Sequence, residues 1–146
     1  MFHVKHNVRN VSCETLKKFK FFRDELLLFQ KKFNLIGRGT IENIWIRHFA
    51  DSAELLKNLQ GLKSKKVLDF GTGAGFPGLV IALLSEAHGL NHKITLVESS
   101  VKKYNFLERG SDERQYCAPG IDLPLCTFCR TKFFKRSLYI QIGKNF

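Results

Sequence analysis

The run Asp69-Phe70-Gly71-Thr72-Gly73-Ala74-Gly75-Phe76-Pro77-Gly78 constrains this chain more than any other feature. Val67-Leu68-Asp69-Phe70 is a short buried-strand signal ahead of the glycines, and Leu79-Val80-Ile81-Ala82-Leu83-Leu84 after them is apolar all round, as in a helix packed on both sides. Pro77 suits the first helical turn, where a missing N–H costs nothing. Ile94-Thr95-Leu96-Val97 predicts a second strand ending at Glu98, and Lys102–Arg109 opens a further helix. Strand, glycine loop, helix, strand is a βαβ unit with a right-handed crossover by default. The expected class is therefore α/β and Rossmann-like.

Glycines between strand and helix let backbone approach a ligand closely, and the helix N-terminus adds partial positive charge. Two cofactor classes use such a turn. A nicotinamide or flavin dinucleotide asks for Gly-x-Gly-x-x-Gly with pyrophosphate on the helix end. Here the spacing is Gly71-x-Gly73-x-Gly75, and the third-glycine position holds Phe76, so that fingerprint fails. S-adenosylmethionine has no phosphate and tolerates bulk after the loop, while its cationic amino-acid end favours a nearby carboxylate. Asp69, at the tip of the first strand, is placed for that task. Glu98, at the tip of the second, is placed to accept from ribose hydroxyls, although dinucleotide folds also carry an acid there. The candidate cofactor-binding residues are thus Asp69, Gly71, Gly73, Gly75, Phe76 and Glu98. A glycine turn with no ligand is the plain alternative, and a nicotinamide-dependent oxidoreductase fragment is the rival function.

The chain before this unit reads as helical, with Ser12 as N-cap and Glu14 in the first turn. Leu16, Phe19, Phe22, Leu26, Phe29 and Phe33 recur at helical steps and predict one apolar stripe, with lysines and arginines on much of the rest. Gly37 and Gly39 punctuate, and Thr40 offers the next N-cap. Ile44, Trp45, His48, Leu55, Leu56 and Leu59 continue the pattern to about Gln60, with His48 expected as a hydrogen-bonded core histidine. Arg47 either touches phosphate or pairs with Asp51 one turn on. Twenty-four basic residues against 13 acidic give a formal charge of +11, which favours an anionic partner without proving one.

The remaining features exclude more than they assign. The apolar stretch Leu79–Leu84 is too short to span a bilayer, and Met1–His6 lacks the pattern of a signal peptide, so a cytoplasmic location is expected. Cys126-x-x-Cys129 has no partner pair at zinc-site spacing; with Cys13 and Cys117 these are expected to be unpaired thiols and no metal is expected.

The Asp69–Gly78 run resembles the motif of RsmG, the glucose-inhibited division protein B family. Phe33-Asn34-Leu35-Ile36 and Trp45-Ile46-Arg47-His48-Phe49-Ala50-Asp51-Ser52 resemble that family's Asn-Leu and Arg-His-x-x-Asp-Ser signatures. Met1–His6 resembles the opening of some alphaproteobacterial members, and Ile94–Leu107 the second strand and following helix. The resemblance covers about residues 1–109. It implies S-adenosylmethionine-dependent methylation of guanine N7 in small-subunit (16S) rRNA, with that RNA or the 30S subunit as partner; the sequence leaves the oligomeric state open, a monomer being the default. It also implies that Gly71 and Phe76 contact the cofactor while Gly73 and Gly75 shape the turn. Guanine N7 carries a lone pair, so the reaction needs positioning rather than a strong base, which suits a sequence with no evident acid–base pair.

By this reading residues 1–62 are an N-terminal helical extension, 63–110 the start of a methyltransferase domain, and 111–146 a divergent tail. Leu138, Ile140 and Ile142 alternate as in one strand, but Ser111–Phe146 otherwise loses both periodicity and resemblance. The expectation is a chain that stops before its sheet is complete, its tail the product of a frameshift near the codon for Gly110. The alternative function is then an inactive RNA-binding remnant of the same family.

Overall fold

The computed structural model describes residues 11–59, 61, 65–90, 92–112, 121–122 and 140–142. Helix α1 spans Cys13–Gln30, and Ser12 caps it by accepting the Thr15 N–H at 3.2 Å, as expected from sequence. The buried line along α1 is Thr15, Phe19, Phe22 and Leu26. Phe29 and Phe33 are partly buried against the same core, whereas Leu16 is 39% exposed. Leu16 is a correction to the expected stripe: the four-three-four spacing of the buried line turns its neighbour toward solvent. After α1 the Gln30 amide holds the following turn. Its oxygen accepts from Leu35 N (2.7 Å) and Ile36 N (3.0 Å), and its nitrogen donates to Ile36 O (2.9 Å) and Asn34 Oδ1 (3.1 Å).

The next helical stretch is not one regular helix. A short 3₁₀ turn, Arg38–Thr40, leads to a wide π-type segment Trp45–Ala50, helix α2 at Asp51–Glu54 and a 3₁₀ segment Leu55–Leu59. Thr40 does not cap a helix; the wide segment starts from Ile44 with no side-chain cap, and the Thr40 hydroxyl bonds elsewhere. Gln60 and Met1–His6 lie outside the described residues, as do Cys117, Cys126 and Cys129.

The βαβ unit stands where its sequence pattern places it. Strand β1 is Lys66–Phe70, helix α3 Gly78–Ala87, strand β2 Lys93–Val97 and helix α4 Val101–Asp112. β1 and β2 pair in parallel, with Asp69 opposite Leu96 and Phe70 opposite Val97. Every residue from Gly78 to Ser85 is buried, which explains why this helix is apolar all round. Two short strands extend the sheet: β3, Ile121–Asp122, runs parallel to β2, and β4, Ile140–Ile142, runs antiparallel to β1. The order is β3-β2-β1-β4. β4 includes two of the alternating residues, while Leu138 lies outside the described residues.

One apolar cluster joins the N-terminal helices to this unit, running from Phe19, Phe22 and Leu26 through Leu56 and Leu59 to Leu83, Ile94 and Phe106. Burying a phenylalanine or leucine fully contributes about 1.5–3 kcal/mol relative to leaving it exposed, so the fully buried Phe22 is a strong tie between the two parts. A polar tie runs beside it, from Lys18 Nζ on α1 to both carboxylate oxygens of Glu86 on α3, at 3.0 and 2.8 Å. Among the described residues no helix is long and apolar enough to cross a membrane.

Candidate functional site

The loop between β1 and α3 is set by backbone that only glycine adopts easily. Gly71, Gly73 and Gly75 have φ of 73°, 62° and 97°. At Gly75 crowding adds to the conformation, because a Cβ would sit 3.1 Å from Leu107 Cδ2 and 3.2 Å from Leu79 Cβ. At Gly71 a Cβ would meet nothing within 4 Å, so that stretch of backbone borders open space.

The end of β2 anchors the loop. Gly71 N–H and Thr72 N–H both donate to the Val97 carbonyl, at 2.8 and 3.1 Å. Glu98 follows directly, and its two carboxylate oxygens accept from Gly73 N and Ser100 N, each at 2.8 Å. Gly75 N and Phe76 N then close a turn onto the Thr72 carbonyl at 2.9 and 3.1 Å. The expected Glu98 is therefore beside the loop, half-buried, with the loop's own backbone as its first partner.

Asp69 is buried to 1% exposure, and its Oδ2 accepts from Gly78 N at 2.9 Å. Burial pushes its carboxyl above the ordinary range; the Thr72 hydroxyl and the Gly78 N–H temper that rise, and the Glu98 charge adds to it. Thr72 lies close without closing a bond of good geometry: Asp69 Oδ1 and Thr72 Oγ1 are both buried with no hydrogen-bond partner among the described residues. The expectation for Asp69 was a carboxylate free for a cationic ligand. Its immediate role in the geometry is to bind the first N–H of α3 and so fix how the loop enters the helix.

Gly78 is the residue that sequence reasoning missed. A Cβ there would stand 2.2 Å from Leu96 Cδ2, 2.7 Å from Asp69 Oδ2 and 3.1 Å from Asp69 Cβ. Only glycine lets the start of α3 lie this close to β1 and β2, which is the task of the third glycine in a dinucleotide motif. The available signal was a glycine directly before the apolar run Leu79–Leu84.

Phe76 faces the N-terminal helices. Its ring centroid lies 5.1 Å from that of Phe22, 5.2 Å from Phe49 and 5.0 Å from the His48 imidazole. His48 is half-buried, and its Nε2 lies 2.8 Å from Thr40 Oγ1. Burial lowers its pKa and the Asp51 charge opposes that shift. Arg47 and Asp51 are exposed and form no ion pair with one another, so of the two roles weighed for Arg47 the one-turn pairing is absent. Among the described residues no three His, Cys, Asp or Glu side chains cluster as a metal site would require. The site thus brings together a positive-φ glycine loop, two acids on adjacent strand ends and open space beside Gly71.

Sequence comparison gives this geometry a context. The sequence model of the family described as rRNA small subunit methyltransferase G matches residues 15–116, reaching past the 109 of the motif-level resemblance. A protein named ribosomal RNA small subunit methyltransferase G from Jannaschia sp. (strain CCS1) is 40% identical over 101 residues, covering 69% of this chain and 47% of its own length. Its namesake from Magnetococcus marinus is 47% identical over 95 residues, covering 65% of this chain and 41% of the relative. The one from Rhodopseudomonas palustris (strain HaA2) is 42% identical over 110 residues, or 75% of this chain and 44% of the relative. The chain spans about half the length of the curated relatives it matches.

Proposed function

The chain belongs to the rRNA small subunit methyltransferase G family, and on that premise we propose that its glycine loop binds S-adenosylmethionine for methylation of guanine N7 in small-subunit rRNA. The observation that carries this is the clasp of Glu98 on Gly73 N at the β2 end, beside open backbone at Gly71. In this reading Glu98 is the acceptor for the ribose hydroxyls, next to backbone open to a ligand. Each Glu98 oxygen retains a lone pair after its bond to the backbone, so ligand and loop need not compete. The orphaned Asp69 Oδ1 and Thr72 Oγ1 put unsatisfied acceptor capacity beneath the loop, which suits a cationic amino-acid group above it. Family membership sets the nicotinamide reading aside, as does Phe76 at the third-glycine position.

When bound, the sulfonium of S-adenosylmethionine supplies the activated methyl group. Everything else asked of this chain is positioning. The Gly71–Gly75 backbone and Glu98 hold one reactant, and a basic surface draws the RNA phosphates. N7 is already a lone pair, so no residue needs to remove a proton. A cytoplasmic location goes with this reading.

The test is calorimetric titration of the purified chain with S-adenosylhomocysteine, using NADH as control, followed by methylation of 16S rRNA or 30S subunits. Selective binding of the homocysteine with label transfer to RNA is the expected result. Binding of NADH alone would overturn the assignment. Cofactor binding without transfer would leave a cofactor-binding but inactive member of the family, and no binding by a folded chain would leave the RNA-binding remnant.

A further inference from the structure

The Trp45–Ser52 segment and the glycine loop meet where His48 and Phe49 pack against Phe76. The proton on His48 Nε2 is fixed by its neighbours. Thr40 Oγ1 lies 2.7 Å from the Gly37 carbonyl oxygen, and two oxygens that close need a proton between them. Only the hydroxyl has one to give. Thr40 therefore donates to Gly37, and the 2.8 Å contact to His48 must be filled by the imidazole's own Nε2–H. The ring is held as the Nε2-protonated tautomer, with its lone pair on Nδ1. From there the linkage is unbroken: the imidazole lies against the Phe76 ring at 5.0 Å and 34°, Phe76 N bonds Thr72 O at 3.1 Å, and Gly73 N bonds Glu98 at 2.8 Å.

We propose that Thr40 and His48 are positioning residues for the cofactor loop, Thr40 fixing the imidazole plane and His48 holding Phe76 in place by that plane. The inference rests on the cofactor reading above. A histidine that served only to fill space would be better replaced by an apolar ring, since Phe76 already has Phe22 and Phe49 against it. What the imidazole adds is a ring whose rotation is locked by a hydrogen bond. Phe76 is half-buried, so its own packing leaves it freedom that this lock removes.

The test uses the full chain with Thr40→Val, Thr40→Ser and His48→Phe. Valine keeps the shape and removes the hydroxyl; serine restores it; phenylalanine keeps a ring against Phe76 and removes the donor. Thr40→Val is expected to weaken S-adenosylhomocysteine binding roughly three- to tenfold, the worth of one hydrogen bond, with Thr40→Ser near the parent. His48→Phe is expected to match Thr40→Val, and the double variant to be no worse than either. Nitrogen-15 spectra of the parent should show His48 protonated on Nε2, and Thr40→Val should shift the amides of Gly71, Gly73 and Gly75. A residue of merely structural value would lower the melting temperature and leave both the affinity of the folded protein and those amides unmoved; that result overturns the proposal. If the parent itself fails to bind the homocysteine, the cofactor reading fails. The glycine amides then still decide whether Thr40 and His48 govern the loop. Should Thr40→Val not fold, Thr40→Ser and His48→Phe carry the same comparison.

Discussion

Replacing Gly78 by alanine tests the packing that the whole loop depends on. A Cβ at this position would lie 2.2 Å from Leu96 Cδ2, where ordinary carbon contacts are about 3.5–4.0 Å. A leucine tip in open surroundings would swing away, but Leu96 is 2% exposed and its neighbours are close-packed. The second clash, 2.7 Å to Asp69 Oδ2, falls on a carboxylate already bonded to Gly78 N. Overpacking of a filled core costs about 1–3 kcal/mol, while alanine over glycine in a helix gains at most about 1 kcal/mol. The clash wins, and a net loss of about 1–2 kcal/mol is expected, read as a lower urea midpoint at unchanged slope by circular dichroism. Gly39→Ala is the control, since a Cβ there meets nothing within 4 Å, and its stability should move by no more than about 0.5 kcal/mol. Leu96→Val should recover part of the Gly78→Ala loss. Equal midpoints for Gly78→Ala and Gly39→Ala would refute the claim that α3 is seated on β1 and β2 by this glycine.

Asp69→Asn is expected to raise stability at neutral pH by about 1 kcal/mol, because the amide keeps the Gly78 bond, gives Thr72 Oγ1 a donor and removes a buried charge. The raised pKa of Asp69 means its penalty exists above the folded-state value and vanishes in acid, so the gain should shrink toward about pH 4. The same variant should lose affinity for S-adenosylhomocysteine; retained affinity would remove Asp69 from the site. His48 and His92 both have lowered pKa values. Burial is the larger cause in each; Asp51 opposes it at His48, and at His92 the Leu59 backbone opposes it while the Lys65 charge adds. The unfolded chain then binds the extra protons, so thermal stability should fall as pH drops below about 6.5. His92→Leu should flatten that limb, and an unchanged slope would disprove the assignment. Glu86→Gln, with Lys18→Met to complete a double-mutant cycle, should show a coupling of about 1 kcal/mol that survives added salt, because the Lys18 side chain is only 14% exposed.

Local chemistry made part of this molecule legible before any coordinates. Ser12, the glycine loop, α3 and strands β1 and β2 are each set by a few adjacent residues, and each stands where the pattern puts it. Thr40 shows where that reach ends. Its position before an apolar run suits a cap, but a cap must accept from helix N–H groups, and here the Thr40 oxygen faces His48 Nε2 while its proton goes to Gly37 O. Leu16 shows the effect of helix phase, since one apolar residue beside a buried line is turned outward by the geometry alone. β3 holds two residues, too few for any alternation to register. The resemblance to the family was legible to about residue 109, and the family model extends it to 116.

The site residues were chosen by type, and the structure gives each of them protein partners that sequence did not show, for one shared cause. Asp69 and Glu98 were chosen because a carboxylate at a strand end accepts hydrogen bonds from a ligand, yet backbone N–H groups offer the same donors from nearer by. Phe76 was chosen for its place in the loop, while its ring is claimed by Phe22, His48 and Phe49 from far earlier in the chain. Sequence spacing reports none of these because they are contacts between elements. They also give the arrangement its sense. A glycine loop has little side-chain packing of its own and would wander among many backbone states. Here Glu98 holds it from the sheet side, Asp69 and Gly78 from the helix side, and Phe76 from the N-terminal side. The N-terminal helices are thus part of the loop's support, and the backbone at Gly71 is held from three sides without any ligand, which is the preorganisation that the proposed cofactor would need.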